Sequence, residues 1–163
     1  MVRPSFIPPQ AIRDLRDLTR RRRQLIGDAT SERNRVQKVL EEANVKLGSV
    51  LSDVLGVSGQ LMLEKLREGE TDTAAIAELA QKNARRKIAE IRQSLEGHRL
   101  REHHRRMLRL SLEHLAFLEK QIDTIDAEVY RLVEQEQLRK AGKTLTLREG
   151  EATTIDLKLA EGL

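Results

Sequence analysis

All three prolines of this 163-residue chain fall within its first nine positions, at Pro4, Pro8 and Pro9. Proline fixes φ and removes a hydrogen-bond donor, so residues 1–9 read as an extended segment. A helix can begin only at or after Pro9. From Gln10 onward the sequence has no further proline. That permits helices much longer than the usual three or four turns, and the apolar residues are spaced to use the freedom.

The first long helix is expected from about Pro9 to about Leu47. Leu15, Leu18, Leu25, Ala29, Val36, Val39 and Ala43 follow a seven-residue repeat, broken by Arg22 and Glu32 at seam positions. Gly27 lies in mid-helix, where it costs about 1 kcal/mol relative to alanine. The last long helix, about His98 to Ala141, carries the cleanest pattern. Leu108, Leu115, Ile122 and Val129 form one row, and Ser111, Leu118, Ile125 and Leu132 its companion. Four heptads with a single polar seam residue indicate a coiled coil or a long helical hairpin. A helix packed inside a bundle uses a similar stripe.

Between them, 48–59 reads GSVLSDVLGVSG, a turn or kink with apolar contacts. Ser58 is placed to cap a short helix containing Leu61, Met62, Leu63 and Leu66 and ending before Gly69. Thr71 or Asp72 caps a second, with Ile76 and Leu79 inward. A third starts near Asn83, points Ile88, Ile91 and Leu95 inward, and ends at Gly97. Beyond Gly142, KTLTL and TTIDLKL alternate polar and apolar residues around a turn at 148–151, which suggests a short β-hairpin or a disordered tail. The expected architecture is all-α: an extended segment 1–9, a helical coiled-coil module 10–141 and a tail 142–163.

Composition narrows the function classes. There is no cysteine, hence no disulfide framework and no thiol nucleophile or ligand. Three aromatic residues argue against a thick globular core, and 34% charged residues suit long helices. No run of about 18 apolar residues is present, and the N-terminus lacks a signal peptide's apolar stretch. A cytoplasmic protein with no membrane partner is expected.

The net charge of +4 hides strong segregation. Residues 1–46 carry 11 basic and 6 acidic side chains, and 82–109 carry 10 and 3. Acidic stretches at 47–81 and 110–140 separate these two basic blocks. Arginine forks bond two phosphate oxygens at once, so nucleic acid is a natural partner. With so few aromatics to stack on bases, contact is expected through the phosphate backbone, with strong salt dependence. Basic residues that only solubilise a helix and pair with the acidic blocks are the plainer alternative.

A search for catalytic chemistry finds little. There is no glycine-rich phosphate loop, and GVSGQ around Ser58 lacks the spacing of a nucleophile elbow. The adjacent His103 and His104 point about 100° apart on a helix and do not suit one metal ion. Asp14 and Asp17 face arginines at helical spacing, as surface ion pairs do. No catalytic residue, metal or cofactor is assigned, and enzymatic activity is not expected.

The run SFIPPQAIRDLRDLTRRRRQLIGDATSERNRVQKVLEEANVKLGSVLSDVLGVSGQLMLEKL, followed by HH and a Leu-rich helix, resembles the middle of bacterial insertion-sequence transposases of the IS-one-ten type. The motifs IPP, IRDLRDLTR, ERNR, KVLEEANVKL, SDVLGVSG and ML occur in that family's order, over about residues 5–135. Those recombinases carry an N-terminal domain with four metal-binding acidic residues, a helical coiled-coil region and a C-terminal domain with a catalytic serine. This chain resembles only the helical region, and neither catalytic set has a counterpart in it. The resemblance therefore implies a remnant, an excised domain or a small reading frame derived from a DNA-transposition enzyme. It implies that the region joins two protomers and holds structured RNA or DNA. The matching backbone contacts would be Arg13, Arg16, Arg20, Arg23, Arg33, Asn34, Arg35, Lys38 and Lys46, with Arg85, Arg86, His103 and His104 as weaker choices. Leu108, Leu115, Leu118, Ile122, Ile125, Val129 and Leu132 would form the dimerisation seam. A purely structural coiled-coil protein that associates with itself or another helix is the alternative.

Overall fold

The computed structural model describes residues 7–143, and side chains as far as Arg139. Helix α1 spans Gln10–Glu42. It starts where the last proline allows, with the Pro9 carbonyl accepting from the amides of Ile12 (3.0 Å) and Arg13 (3.2 Å). It ends about five residues short of the expected boundary. Asn44 adopts the left-handed conformation (φ 56°), its amide donates to Glu41 O, and the Val45 amide reaches back to Leu40 O at 2.8 Å. That is a Schellman stop with asparagine in the place glycine usually takes.

Three short helices follow. Helix α2 spans Val57–Glu68, α3 Thr73–Ala77 and α4 Ile88–Leu95, with single 3-10 turns at Leu47–Ser49 and Lys82–Lys87. The expected Ser58 cap is a misassignment: Gly56 precedes the helix, and Ser58 lies inside its first turn. The Ser58 hydroxyl instead accepts from the Gln81 amide at 2.9 Å, tying α2 to the segment before the second 3-10 turn. Gly59 is the most tightly constrained of the described glycines. A Cβ there would lie 1.9 Å from the Val54 carbonyl oxygen. Asp72 caps α3 as expected, accepting from the Ala74 amide at 2.9 Å. The third helix starts later than Asn83, because Lys82–Lys87 winds as 3-10 before α4 begins.

Helix α5 spans Glu102–Lys143, a few residues later at both ends than expected. The residues 144–163, including most of the suggested hairpin, lie outside the described part; Gly142 and Lys143 continue α5. Among the described residues there is no strand.

The long helices pack antiparallel within one chain. Arg22 meets Asp126, whereas about three turns further along α1 Glu32 meets His114 and Arg33 meets Glu119, so the chain directions are opposed. The result is a helical hairpin whose joined end is filled out into a small head by α2, α3 and α4. The head buries an aliphatic core in which Leu40, Leu47, Leu63, Leu66, Ile76, Leu95 and Leu108 are almost wholly inaccessible. Among the described residues no phenylalanine or tyrosine takes part; Phe117 and Tyr130 are exposed. Leucine, isoleucine, valine, methionine and alanine together form the buried core that the aromatic count argued against. Beyond the head the hairpin narrows to a stalk with a small second cluster of Leu25, Ala29, Leu115 and Leu118.

This placement corrects the reading of Leu108, Leu115 and Leu118 as part of a dimer contact. Leu108, Leu115 and Leu118 are buried inside the chain, and Ile122 and Ile125 pack partly against α1 of the same molecule. Val129 and Leu132 are half-buried further along the stalk.

Candidate nucleic-acid interface

Helix α1 has two opposed faces. One carries Leu25, Ala29, Glu32, Val36, Val39 and Leu40, all buried. At 3.6 residues per turn, Arg13, Arg16, Arg20 and Arg23 fall within about 80° of arc on the opposite side. Asn34 and Lys38 continue the same stripe. Each of these six side chains is exposed. No acidic residue lies on the stripe between Arg13 and Lys38; Asp17 sits at its flank, 3.9 Å from Arg20. The stripe runs about 37 Å at 1.5 Å per residue.

The run at 20–23 encircles one turn of helix, and the structure assigns the members different work. Arg20, Arg21 and Arg23 point to solvent, while Arg22 is half-buried against α5. Its guanidinium takes Asp126 in a two-toothed grip, with Nη2 donating to Oδ2 at 3.0 Å. The hydrogen bond and the opposite charge raise the Arg22 pKa, and Arg22 in turn holds Asp126 below its ordinary value. The other seam interruption is matched too. Glu32 is only 3% exposed. Its Oε1 accepts from His114 Nδ1 at 2.8 Å, and Ser111 and Arg35 also bond it. Burial alone would raise the pKa of Glu32, but hydrogen bonds from His114 and Ser111 and the charge of Arg35 outweigh it and bring it below normal.

The remaining candidates divide. Arg33 is bound to Glu119 at 2.8 Å and Arg35 to Glu32, so both flank the helix–helix junction rather than the outer stripe. Lys46 lies past the end of α1, exposed, beside Ser94. Arg85 and Arg86 are exposed on the 3-10 turn of the head, apart from the stalk stripe. His103 is exposed in the first turn of α5.

His104 is a correction. It is 4% exposed, and its Nδ1 accepts from the Arg101 amide at 3.2 Å. It closes the start of α5 as the back-reaching arm of a capping box does, and offers no surface to a phosphate. The missed positions are Asp126, Ser111 and His114. Only Ser111 lies on the seam rows of α5; Asp126 and His114 stand off them, and their partners lie many residues away in sequence.

Among the described residues no three His, Cys, Asp or Glu side chains converge as a metal site requires. No described helix is long and apolar enough to cross a membrane. No family model, curated protein or solved structure matches this chain.

Proposed function

We propose that the chain is a helical nucleic-acid-binding and dimerisation module of transposase origin, lacking catalytic residues of its own, with the outer face of α1 as its contact for phosphates. The observation that carries the binding half is the acid-free stripe of Arg13, Arg16, Arg20, Arg23, Asn34 and Lys38, turned away from the seam. The ion pairs of the hairpin use Arg22, Arg33 and Arg35, and of the stripe's cations only Arg20 has a described ion pair, an exposed 3.9 Å contact with Asp17. The transposase origin rests on the motif order over residues 5–135 and on helical architecture of the kind that resemblance implies. A titration with structured RNA and duplex DNA over a range of salt tests it. Binding should weaken steeply as salt rises, because each phosphate neutralised releases counterions. No binding at low salt, or binding indifferent to salt, overturns it.

A second reading, self-association through the stalk, has an observation of its own. Ile12, Leu15 and Leu18 on α1 and Val129 and Leu132 on α5 stay half-buried where only two helices meet. Two helices cannot close a core that a four-helix bundle closes. Sedimentation showing a monomer at tens of micromolar removes this reading and the dimerisation half of the first.

A further inference from the structure

Gly27 sits at the midpoint of the basic stripe, and nothing inside the molecule requires a glycine there. A Cβ at that position meets no atom within 4 Å, the helix is regular through it, and glycine is the least favoured residue after proline in a helix interior. One turn further, the Thr30 hydroxyl donates to Ile26 O (2.8 Å) and the Ser31 hydroxyl to Gly27 O (3.0 Å). Both side chains are thereby folded back onto the helix. The outer face is low from Gly27 to Ser31, with Arg20 and Arg23 standing on one side and Asn34 and Lys38 on the other.

Resting on the reading of this face as the phosphate contact, we propose that the saddle at Gly27–Ser31 is where one strand of a double-helical nucleic acid crosses α1, Arg20 and Arg23 gripping its phosphates on one side and Lys38 on the other. A closely packed partner helix would also use a small-residue gap, but a second copy would bring four arginines against four arginines. A single strand would use aromatic platforms, and none stands on this stripe. A rigid row of charges about 37 Å long suits a rigid polyanion whose charges keep a fixed spacing.

The test uses the full chain, as wild type, Gly27→Ala and Gly27→Met. Each is titrated against a labelled duplex three helical turns long, as RNA and as DNA, and against one separated strand of each. Because the site is open, both variants fold, and Gly27→Ala should melt about 2–5 °C higher than wild type. Gly27→Met should bind duplex about tenfold more weakly, the worth of one or two phosphate contacts, with Gly27→Ala between. Duplex should bind wild type more tightly than a single strand. Unchanged or tighter duplex binding by Gly27→Met, or a preference of wild type for the single strand, overturns the saddle and leaves the binding function standing. No duplex binding by wild type at low salt overturns both.

Discussion

At the residue scale, the polar interruptions of an apolar stripe carry most of the information. Arg22 and Glu32 break the α1 heptad in the sequence, and each has a matched partner on α5, Asp126 and His114. That a partner must exist was legible from burial at a seam position. Its identity was not, because 104 and 82 residues separate the pairs and many stagger positions of α5 offer a charged side chain. Both carboxylates have lowered pKa values. A lowered carboxylate contributes stability above its unfolded pKa and loses it as pH falls through the folded one. The hairpin should therefore hold its stability from neutrality down to the ordinary carboxylate range near pH 4 and weaken below it. Replacing Glu32 with Gln should flatten that acid limb and cost about 1–3 kcal/mol at neutral pH, as read from urea denaturation across pH. Gly59→Ala should be among the most damaging single changes, several kcal/mol by the loss of cooperative melting, since its Cβ meets the Val54 backbone rather than a yielding side chain.

At the element scale, helix existence was legible and helix ends were less so. Proline placement and the heptads gave α1 and α5, and Asp72 gave the cap of α3. The end of α1 was missed because asparagine at position 44 adopts a conformation that glycine more often signals. Ser58 was misread because a hydroxyl before an apolar run serves equally as a cap or as a tether, and its tether, Gln81, lies on another segment. His104 was offered as a contact only by the family resemblance, which carries no information on burial; its ring turns back to the Arg101 amide. The Arg22–Asp126 pair links the two long helices. Each single reversal, Arg22→Asp or Asp126→Arg, should lower stability slightly, and the double reversal should restore most of it. Recovery in a double-mutant cycle checks the pairing. Hydrogen exchange should separate the head from the stalk, with amides near Val36 and Leu40, which lie against the aliphatic core, far slower than those near Leu15 and Leu132, which are half-covered.

At the scale of the whole molecule, the heptad stripe of α5 could not reveal its partner. A seam looks the same whether the facing helix belongs to the same chain or another. The structure turns much of that seam inward, which commits one face of α1 to α5 and leaves the remaining basic residues together on the other. The balance of two positive blocks then acquires a geometry, a stripe along the stalk and a separate cluster on the head. Removing charge from the stripe and from the head gives the most direct test. Counterion release predicts that log Kd changes with log salt by about 0.9 per phosphate contact on duplex DNA. The variant with Arg13, Arg16, Arg20 and Arg23 replaced by Gln should lose about three to four contacts from that slope, whereas replacing Arg85, Arg86 and Lys87 should change it little. Equal slopes for wild type and the stripe variant, or a larger loss from the head variant, would contradict the assignment of α1 as the nucleic-acid face.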